Sequence, residues 1–142
     1  MTRYAWALLG LGLGWGAAAR PTAGQAPQPS VQLQPSYANP FIPPGTIQFR
    51  LGGELFLNGH KPVVTLRIYN VLAQLVAVPI LNGTGQQLDS LPLSCSSTLG
   101  CSYSAYWDGY VRGTGTPALS GVYIYQLVVD GWRFTKKMVI IK

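Results

Sequence analysis

The chain has 142 residues, of which 48% are hydrophobic and 10% charged, with 17 Gly and 11 Pro. This composition excludes a disordered, collagen-like or long-helical protein and indicates a single ordered, loop-rich domain. The formal net charge is +6, but the basic residues are dispersed apart from Lys136-Lys137, so we expect no nucleic-acid binding.

The amino terminus is typical of a secretory signal peptide. Arg3 precedes an apolar stretch from Tyr4 to Ala19 that ends in three alanines. This stretch is short and Gly-rich for a membrane span, which needs about 20 apolar residues. We predict a signal peptide at residues 1–19, a Pro- and Gln-rich linker at 20–30, and a folded domain at 31–142. The mature protein is then exported, without a stable membrane span, to the periplasm, the outer membrane surface or the medium.

The hydrophobic pattern of the predicted domain is that of β-strands. Ile47, Phe49 and Leu51 alternate with polar residues, and Val64, Leu66 and Ile68 do the same. Further strands are predicted at about 74–80, 102–107, 121–129 and 132–141. Such a series of six or seven short strands predicts an antiparallel β-sandwich. No segment after residue 19 has a clear helical period.

Turn signals separate the predicted strands. Asp130-Gly131 joins two strand-like runs across two residues, which predicts a type I′ hairpin with positive φ at both positions. Asn82-Gly83 and Asp108-Gly109 have similar turn chemistry at the ends of other runs.

The two cysteines, Cys95 and Cys101, would close a loop of seven residues. In an exported protein this pair predicts a disulfide, with free thiols as the alternative. Metal binding is not expected, because two thiols without nearby His or further Cys cannot fill a tetrahedral site.

The inventory of reactive side chains indicates no catalytic centre. His60 is predicted to be a solvated turn residue, and Asp108 is predicted to cap the loop that follows Trp107. No nucleophile, base and orienting group can be assembled from the remaining residues. We therefore expect no enzyme activity, no cofactor and no metal.

The aromatic residues suggest a second class of function, the binding of a glycan. Residue parity places Tyr103, Ala105 and Trp107 on one face of their strand, where they would line the core. Tyr106 and Trp132 then remain as an exposed pair on which a sugar could stack.

Five segments closely resemble the C-terminal sorting domains of type IX secretion cargo, which are similar in turn to the immunoglobulin-like domain of flagellar hook-capping proteins. The resemblance covers about residues 31–142. In chain order the segments are Tyr37-Ala38-Asn39-Pro40-Phe41-Ile42-Pro43-Pro44-Gly45-Thr46-Ile47-Gln48-Phe49, Val64-Thr65-Leu66-Arg67-Ile68-Tyr69-Asn70-Val71-Leu72, Trp107-Asp108-Gly109, Ser120-Gly121-Val122-Tyr123-Ile124-Tyr125 and Lys136-Lys137-Met138-Val139-Ile140-Ile141-Lys142.

The resemblance implies an immunoglobulin-like sandwich of about seven strands that is not an enzyme. Its partner would be an export machine or an outer-surface protein at the cell envelope. The recognition residues implied by the quoted segments are Asn39, Pro40, Phe41, Trp107, Asp108, Gly109, Gly121, Tyr123, Lys136, Lys137 and Lys142.

The chain departs from the pattern of these domains in three respects. The predicted domain makes up nearly the whole of the predicted mature protein, whereas such domains normally follow a large cargo. In addition, a longer insert holds both cysteines, and Ala73 stands where the turn usually has Gly. A non-Gly residue at positive φ costs about 1 kcal/mol, so this turn is either remodelled or mildly strained. A free-standing carbohydrate-binding or adhesive module, and the remnant of a longer cargo protein, are the alternative functions.

Overall fold

A computed structural model of the chain describes residues 28–34 and 40–142. The predicted signal peptide and most of the predicted linker lie outside the described residues. The described strands are β1 (Val31–Leu33), β2 (Gly45–Leu51), β3 (Val63–Asn70), β4 (Leu75–Ala77), β5 (Ile80–Leu81), β6 (Leu91–Pro92), β7 (Cys101–Trp107), β8 (Gly121–Val129) and β9 (Trp132–Ile140).

The strands form two antiparallel sheets. Sheet I has the order β1-β2-β7-β5, and sheet II has the order β4-β3-β8-β9, with β6 beside the start of β3. If β6 is left out, the other eight strands take the letters A, B, C, C′, D, E, F and G in chain order. The two sheets are then A-B-E-D and C′-C-F-G, the arrangement of immunoglobulin-like sandwiches. The predicted fold class is therefore confirmed, with two short strands, β1 and β6, in addition to those predicted.

The core lies between the two sheets and consists of the alternating residues that the sequence indicates. Ile47, Phe49 and Leu51 are buried in β2, and Val64, Leu66 and Ile68 are buried in β3 of the other sheet. In β8 the buried residues are Tyr123, Tyr125, Leu127 and Val129, and in β9 they are Met138 and Ile140. Each fully buried aliphatic or aromatic side chain contributes about 1.5–3 kcal/mol, so this alternation is the main source of stability.

The prediction of one continuous strand at 74–80 is wrong, because the chain crosses from one sheet to the other between residues 77 and 80. β4 ends at Ala77 in sheet II, and β5 begins at Ile80 in sheet I. Pro79 lies in the crossing, where its missing N–H cannot contribute to a sheet ladder. Its carbonyl instead accepts a hydrogen bond from the amide of Leu88 at 3.0 Å.

A 3-10 helix at Gly53–Gly59 connects β2 to β3, and no helical period in the sequence predicts it. Leu55 and Phe56 on this segment pack partly against the core. The Ser30 amide donates a hydrogen bond to Glu54 Oε2 at 2.7 Å, and this bond lowers the pKa of the Glu54 carboxyl below its ordinary value. Within residues 28–34 and 40–142, no helix has the length and apolar character that a membrane crossing requires.

The hairpin between β8 and β9 forms as predicted. Asp130 has φ 48° and Gly131 has φ 88°, which are the two positive values that a type I′ turn needs. The Asp130 carboxylate also holds the neighbouring loop: Oδ1 accepts a hydrogen bond from the Val63 amide at 2.9 Å, and Oδ2 lies 2.7 Å from His60 Nε2. His60 is thus exposed, as expected, but it is paired rather than only solvated.

Ala73 has φ 62°, so the turn between β3 and β4 retains the left-handed residue that usually is Gly. Asn70 compensates for the strain by bonding across the turn. Its Oδ1 accepts hydrogen bonds from the amides of Leu72 and Gln74, and its Nδ2 donates to Gln74 Oε1 at 2.8 Å. The turn is therefore held in one conformation despite the cost at Ala73.

We predict that Ala73→Gly raises the free energy of unfolding by up to about 1 kcal/mol, because Gly adopts positive φ without steric cost. Urea unfolding followed by tryptophan fluorescence measures the change. Leu72→Gly is the matched control: Leu72 lies in the same turn without positive φ and its side chain is exposed, so this change should destabilise the domain. A loss of stability in Ala73→Gly would show that the strain at this position is negligible.

Candidate functional site

All five segments that resemble sorting domains contribute residues to one end of the sandwich. Strand pairing places Gly45 opposite Trp107, Gly121 opposite Ile140, and Asn70 opposite Tyr123. We call this end the Phe41 pole and define it as residues 40–45, 70–74, 107–110, 117–123 and 139–142. Of the predicted recognition residues, it contains Pro40, Phe41, Trp107, Asp108, Gly109, Gly121, Tyr123 and Lys142.

Phe41 closes the core at this pole and is 1% exposed. Its ring stacks on Trp107 with the centroids 5.8 Å apart and the planes inclined by 25°. Its amide donates to the Val139 carbonyl at 2.6 Å, and its carbonyl accepts from the Ile141 amide at 3.1 Å. Phe41 therefore contacts sheet I through its ring and sheet II through its backbone, which is a structural role.

Trp107, Asp108 and Gly109 shape the loop that leaves β7. Trp107 is buried in the core, as predicted, and its Nε1 donates to the Tyr110 carbonyl at 3.1 Å. Asp108 Oδ1 accepts a hydrogen bond from the Tyr110 amide at 2.9 Å, which confirms that Asp108 caps the loop. Gly109 has φ 90°, and its α-carbon lies so close to Pro43 that a Cβ would collide with the proline ring.

Tyr123 forms a tyrosine corner at the start of β8. Its ring is buried, and its hydroxyl donates to the Leu119 carbonyl four residues upstream at 2.8 Å. This arrangement is characteristic of strand F in immunoglobulin-like sandwiches and fixes the loop before it. Gly121, two residues earlier, pairs with Ile140 at the end of β9.

The remaining predicted residues are not gathered into the site. Lys136 and Lys137 are exposed in the middle of β9, away from the pole, and Asn39 lies outside the described residues. Lys142 does belong to the pole: its amide donates to Ser120 Oγ at 3.1 Å. Its side chain borders a groove of about 400 Å³ together with Ile42, Pro43, Pro44 and Asp108.

Sequence reasoning missed a ring of exposed aliphatic side chains around the pole, which we call the apolar rim. Its members are Ile42, Val71, Leu72, Leu119 and Ile141. Val71 is 67%, Leu72 73% and Leu119 75% exposed. Val71-Leu72, between Asn70 and Gln74, could have indicated this exposed apolar surface, because turns of this kind usually present polar residues to solvent.

The disulfide Cys95–Cys101 is present, with its sulfurs 2.01 Å apart. It lies at the opposite end of the sandwich, because Cys101 pairs with Leu51 at the start of β7. Arg50 reinforces this loop by donating to the Leu99 carbonyl at 2.7 Å. The disulfide thus stabilises the end remote from the Phe41 pole and is not part of the site.

The predicted pairing of Tyr106 with Trp132 as a sugar platform is wrong. Tyr106 lies near the end of β7 in sheet I, next to the Phe41 pole. Trp132 begins β9 in sheet II, at the other end of the sandwich. Residue parity identified their exposed faces, but it could not indicate which sheet each strand would join.

The described acidic side chains all have local structural partners. Glu54 accepts from Ser30, Asp89 pairs with Arg67 at 3.3 Å, and Asp130 with His60. Asp108 accepts from Tyr110. Among the residues that the structure describes, no three His, Cys, Asp or Glu side chains are grouped as a metal site would require.

We predict that replacing both cysteines, Cys95→Ser with Cys101→Ser, lowers the free energy of unfolding by about 2.4 kcal/mol without abolishing the fold. The estimate is the loop entropy of a seven-residue ring. Urea unfolding of the variant and of the chemically reduced wild-type protein should agree. A variant that is unfolded in the absence of urea would mean that the loop is needed to form the sandwich.

We predict that Gly109→Ala costs roughly 2–4 kcal/mol, the sum of the positive-φ penalty and the collision with Pro43. Gly113→Ala is the matched control, since Gly113 has φ 79° but nothing within 4 Å of the added Cβ. It should lose only about 1 kcal/mol. Equal losses in the two variants, measured by urea unfolding, would show that Pro43 yields to the new methyl group.

Comparison with known proteins supplies no family for this chain. No protein-family description matches the sequence, and no curated protein matches it. The resemblance to sorting domains therefore depends on the quoted residues, and the functional conclusion depends on the geometry of the Phe41 pole.

Proposed function

We propose that the chain is a non-catalytic, exported β-sandwich module that acts through protein–protein contacts at the cell envelope, in the manner of a type IX sorting domain. The contact surface is the Phe41 pole. The observation that supports this proposal is the convergence of the resembling segments, since residues 40–45, 107–109, 120–123 and 139–142 are distant in sequence but adjacent at this pole. An export-machine component or an outer-surface protein is the proposed partner.

The pole has a rigid framework, which favours recognition. The turn at 70–74 has its backbone fixed by Asn70, and the loop before β8 is fixed by the tyrosine corner. Val71, Leu72 and Leu119 are therefore presented to solvent on segments that need little further ordering. Preorganisation of this kind reduces the entropy lost when a partner binds.

The exposure of the apolar rim to water also costs free energy unless a partner covers it. Exposed aliphatic side chains that cluster at one end of a small domain are typical of an interaction surface rather than of scattered solvent contacts. Ala73 adds a strained backbone position to the same turn. A groove of about 380 Å³ lies between Gln74, Leu75, Pro117 and Leu119, beside the rim. A partner with an apolar ridge could fill this groove and cover the rim.

The proposal is tested with a reporter protein fused ahead of residues 20–142 in a bacterium with type IX export. The intact fusion should reach the cell surface. The double change Val71→Ser with Leu72→Ser should reduce surface delivery about tenfold, equivalent to about 1.4 kcal/mol of partner binding. Both side chains are largely exposed, so the variant should keep the fold, which circular dichroism and urea unfolding check.

The matched control is Leu57→Ser with Leu99→Ser, which removes two equally exposed leucines outside the pole. This variant should be delivered like the wild-type fusion. An intact fusion that stays in the periplasm would contradict the sorting proposal. Equal losses in the two double variants would contradict the assignment of the contact surface to the Phe41 pole.

A further inference from the structure

A further cleft, of about 370 Å³, adjoins the pole on the side where β5 pairs with β7. Its lining includes Val78, Tyr106 from β7 and Tyr110 from the following loop. Polar side chains from Gln87, Asp108 and Arg112 complete the lining. The volume is at the lower end of the ~300–1,000 Å³ range of small-molecule sites.

The loop that forms one wall of the cleft is held firmly to the sandwich. The Arg112 amide donates to the Val76 carbonyl at 2.8 Å, and the Val111 amide donates to the Thr116 carbonyl at 2.7 Å. The Tyr110 backbone is fixed at both ends, since its amide donates to Asp108 and its carbonyl accepts from Trp107. The backbone positions of Tyr110 and Arg112 are therefore set by the fold.

Apart from Asp108 Oδ1 and Trp107 Nε1, which bond to the Tyr110 backbone, the side-chain polar groups of this cleft have no partner among the described residues. Four side-chain groups make no hydrogen bond among the described residues. They are the hydroxyls of Tyr106 and Tyr110, the side-chain amide of Gln87 and the guanidinium of Arg112. The described ion pairs are His60–Asp130 and Arg67–Asp89, so Arg112 and Asp108 line the same cleft without pairing. The cleft thus combines aromatic surface with donors and acceptors on exposed or half-exposed residues, which are open to a ligand.

We infer that this cleft binds a pyranose unit of a glycan chain. A sugar ring has an apolar C–H face that packs on aromatic rings, here Tyr106 and Tyr110, and hydroxyls around its edge. The unpaired carboxylate oxygen of Asp108 accepts hydrogen bonds from such hydroxyls, while Arg112 and Gln87 donate to them. Arg112 also pairs with the carboxylate of a uronic acid through two parallel hydrogen bonds.

A glycan fits this lining better than a peptide or a lipid does. An apolar peptide side chain would leave the Arg112 and Asp108 groups without partners, at a desolvation cost. A phosphate or other compact anion could pair with Arg112, but it has no apolar face to pack on Tyr106 and Tyr110. The hydroxyls at the edge of a sugar form hydrogen bonds with Arg112 and Asp108, while its apolar face packs on the two tyrosine rings.

The test uses purified protein comprising residues 20–142, with cellotetraose as a neutral probe and an oligogalacturonate as an acidic probe. Titration is followed by amide chemical shifts in nuclear magnetic resonance. We expect at least one probe to bind with a Kd of about 1 mM or tighter and to shift amides from 106 to 113. Binding of both probes would indicate that Arg112 donates hydrogen bonds to sugar hydroxyls. Binding of the acidic probe alone would indicate that Arg112 pairs with the uronic acid carboxylate.

Two pairs of matched variants identify the site. Tyr110→Ala and Arg112→Gln should each weaken binding about tenfold, whereas Trp132→Ala and Arg133→Gln, which alter an exposed aromatic and a cation on β9, should leave it unchanged. Absence of binding by either probe, or equal weakening in all four variants, would overturn the inference. Shifts of the same amides by a polyproline peptide but by neither sugar would also overturn it.

The cleft shares Asp108 and Tyr110 with the Phe41 pole, but Val71 and Leu72 do not line it, so the two proposals can be tested separately. The Val71→Ser, Leu72→Ser variant should bind the sugar probes as the wild-type protein does. Loss of surface delivery with sugar binding retained, or the reverse, therefore distinguishes the two proposals.

Discussion

Phe41 links the two sheets at the end of the sandwich where β7 ends and β8 begins. Its ring lies against Trp107 of sheet I, while its backbone pairs with Val139 and Ile141 at the end of β9 in sheet II. Gly45 lacks a side chain beside this ring, and a Cβ there would lie 2.8 Å from Phe41 Cζ. The packing at Phe41 therefore sets the spacing of the strand ends, and the loops of the pole are arranged around it.

The two ends of the sandwich are closed by different means. At the end near the start of β7, the Cys95–Cys101 disulfide and Arg50 fix the loop. At the Phe41 pole the closure is apolar packing with tight backbone contacts, and no described cysteine takes part. The Phe41 pole presents five exposed aliphatic side chains around its closed core, and Leu99 in the disulfide loop is exposed as well. The exposed aliphatic side chains of the Phe41 pole are the reason for proposing it as the contact surface.

Short polar side chains hold most of the turns. Asn70 bonds across the β3–β4 turn, Asp108 across the turn after β7, and Asp130 connects the β8–β9 hairpin to the start of β3. These bonds satisfy backbone donors that no sheet ladder reaches. They also explain how a chain with so few charged residues positions its loops firmly enough to shape the pole and the tyrosine-lined cleft.

The sequence by itself determined the period-two strands, the Asp130-Gly131 hairpin and the disulfide, because each depends on residues close together in the chain. The turn at Ala73 was expected from the resemblance alone, which left a remodelled turn and a strained one open, and the structure shows the strained one. Tertiary structure decided the crossing between sheets at Pro79, the separation of Tyr106 from Trp132, and the assembly of the Phe41 pole and the cleft. Residue parity tells which face of a strand is buried, but it does not tell which sheet the strand joins or which strand ends become neighbours. Those choices depend on how two whole sheets pack, and no local pattern encodes them.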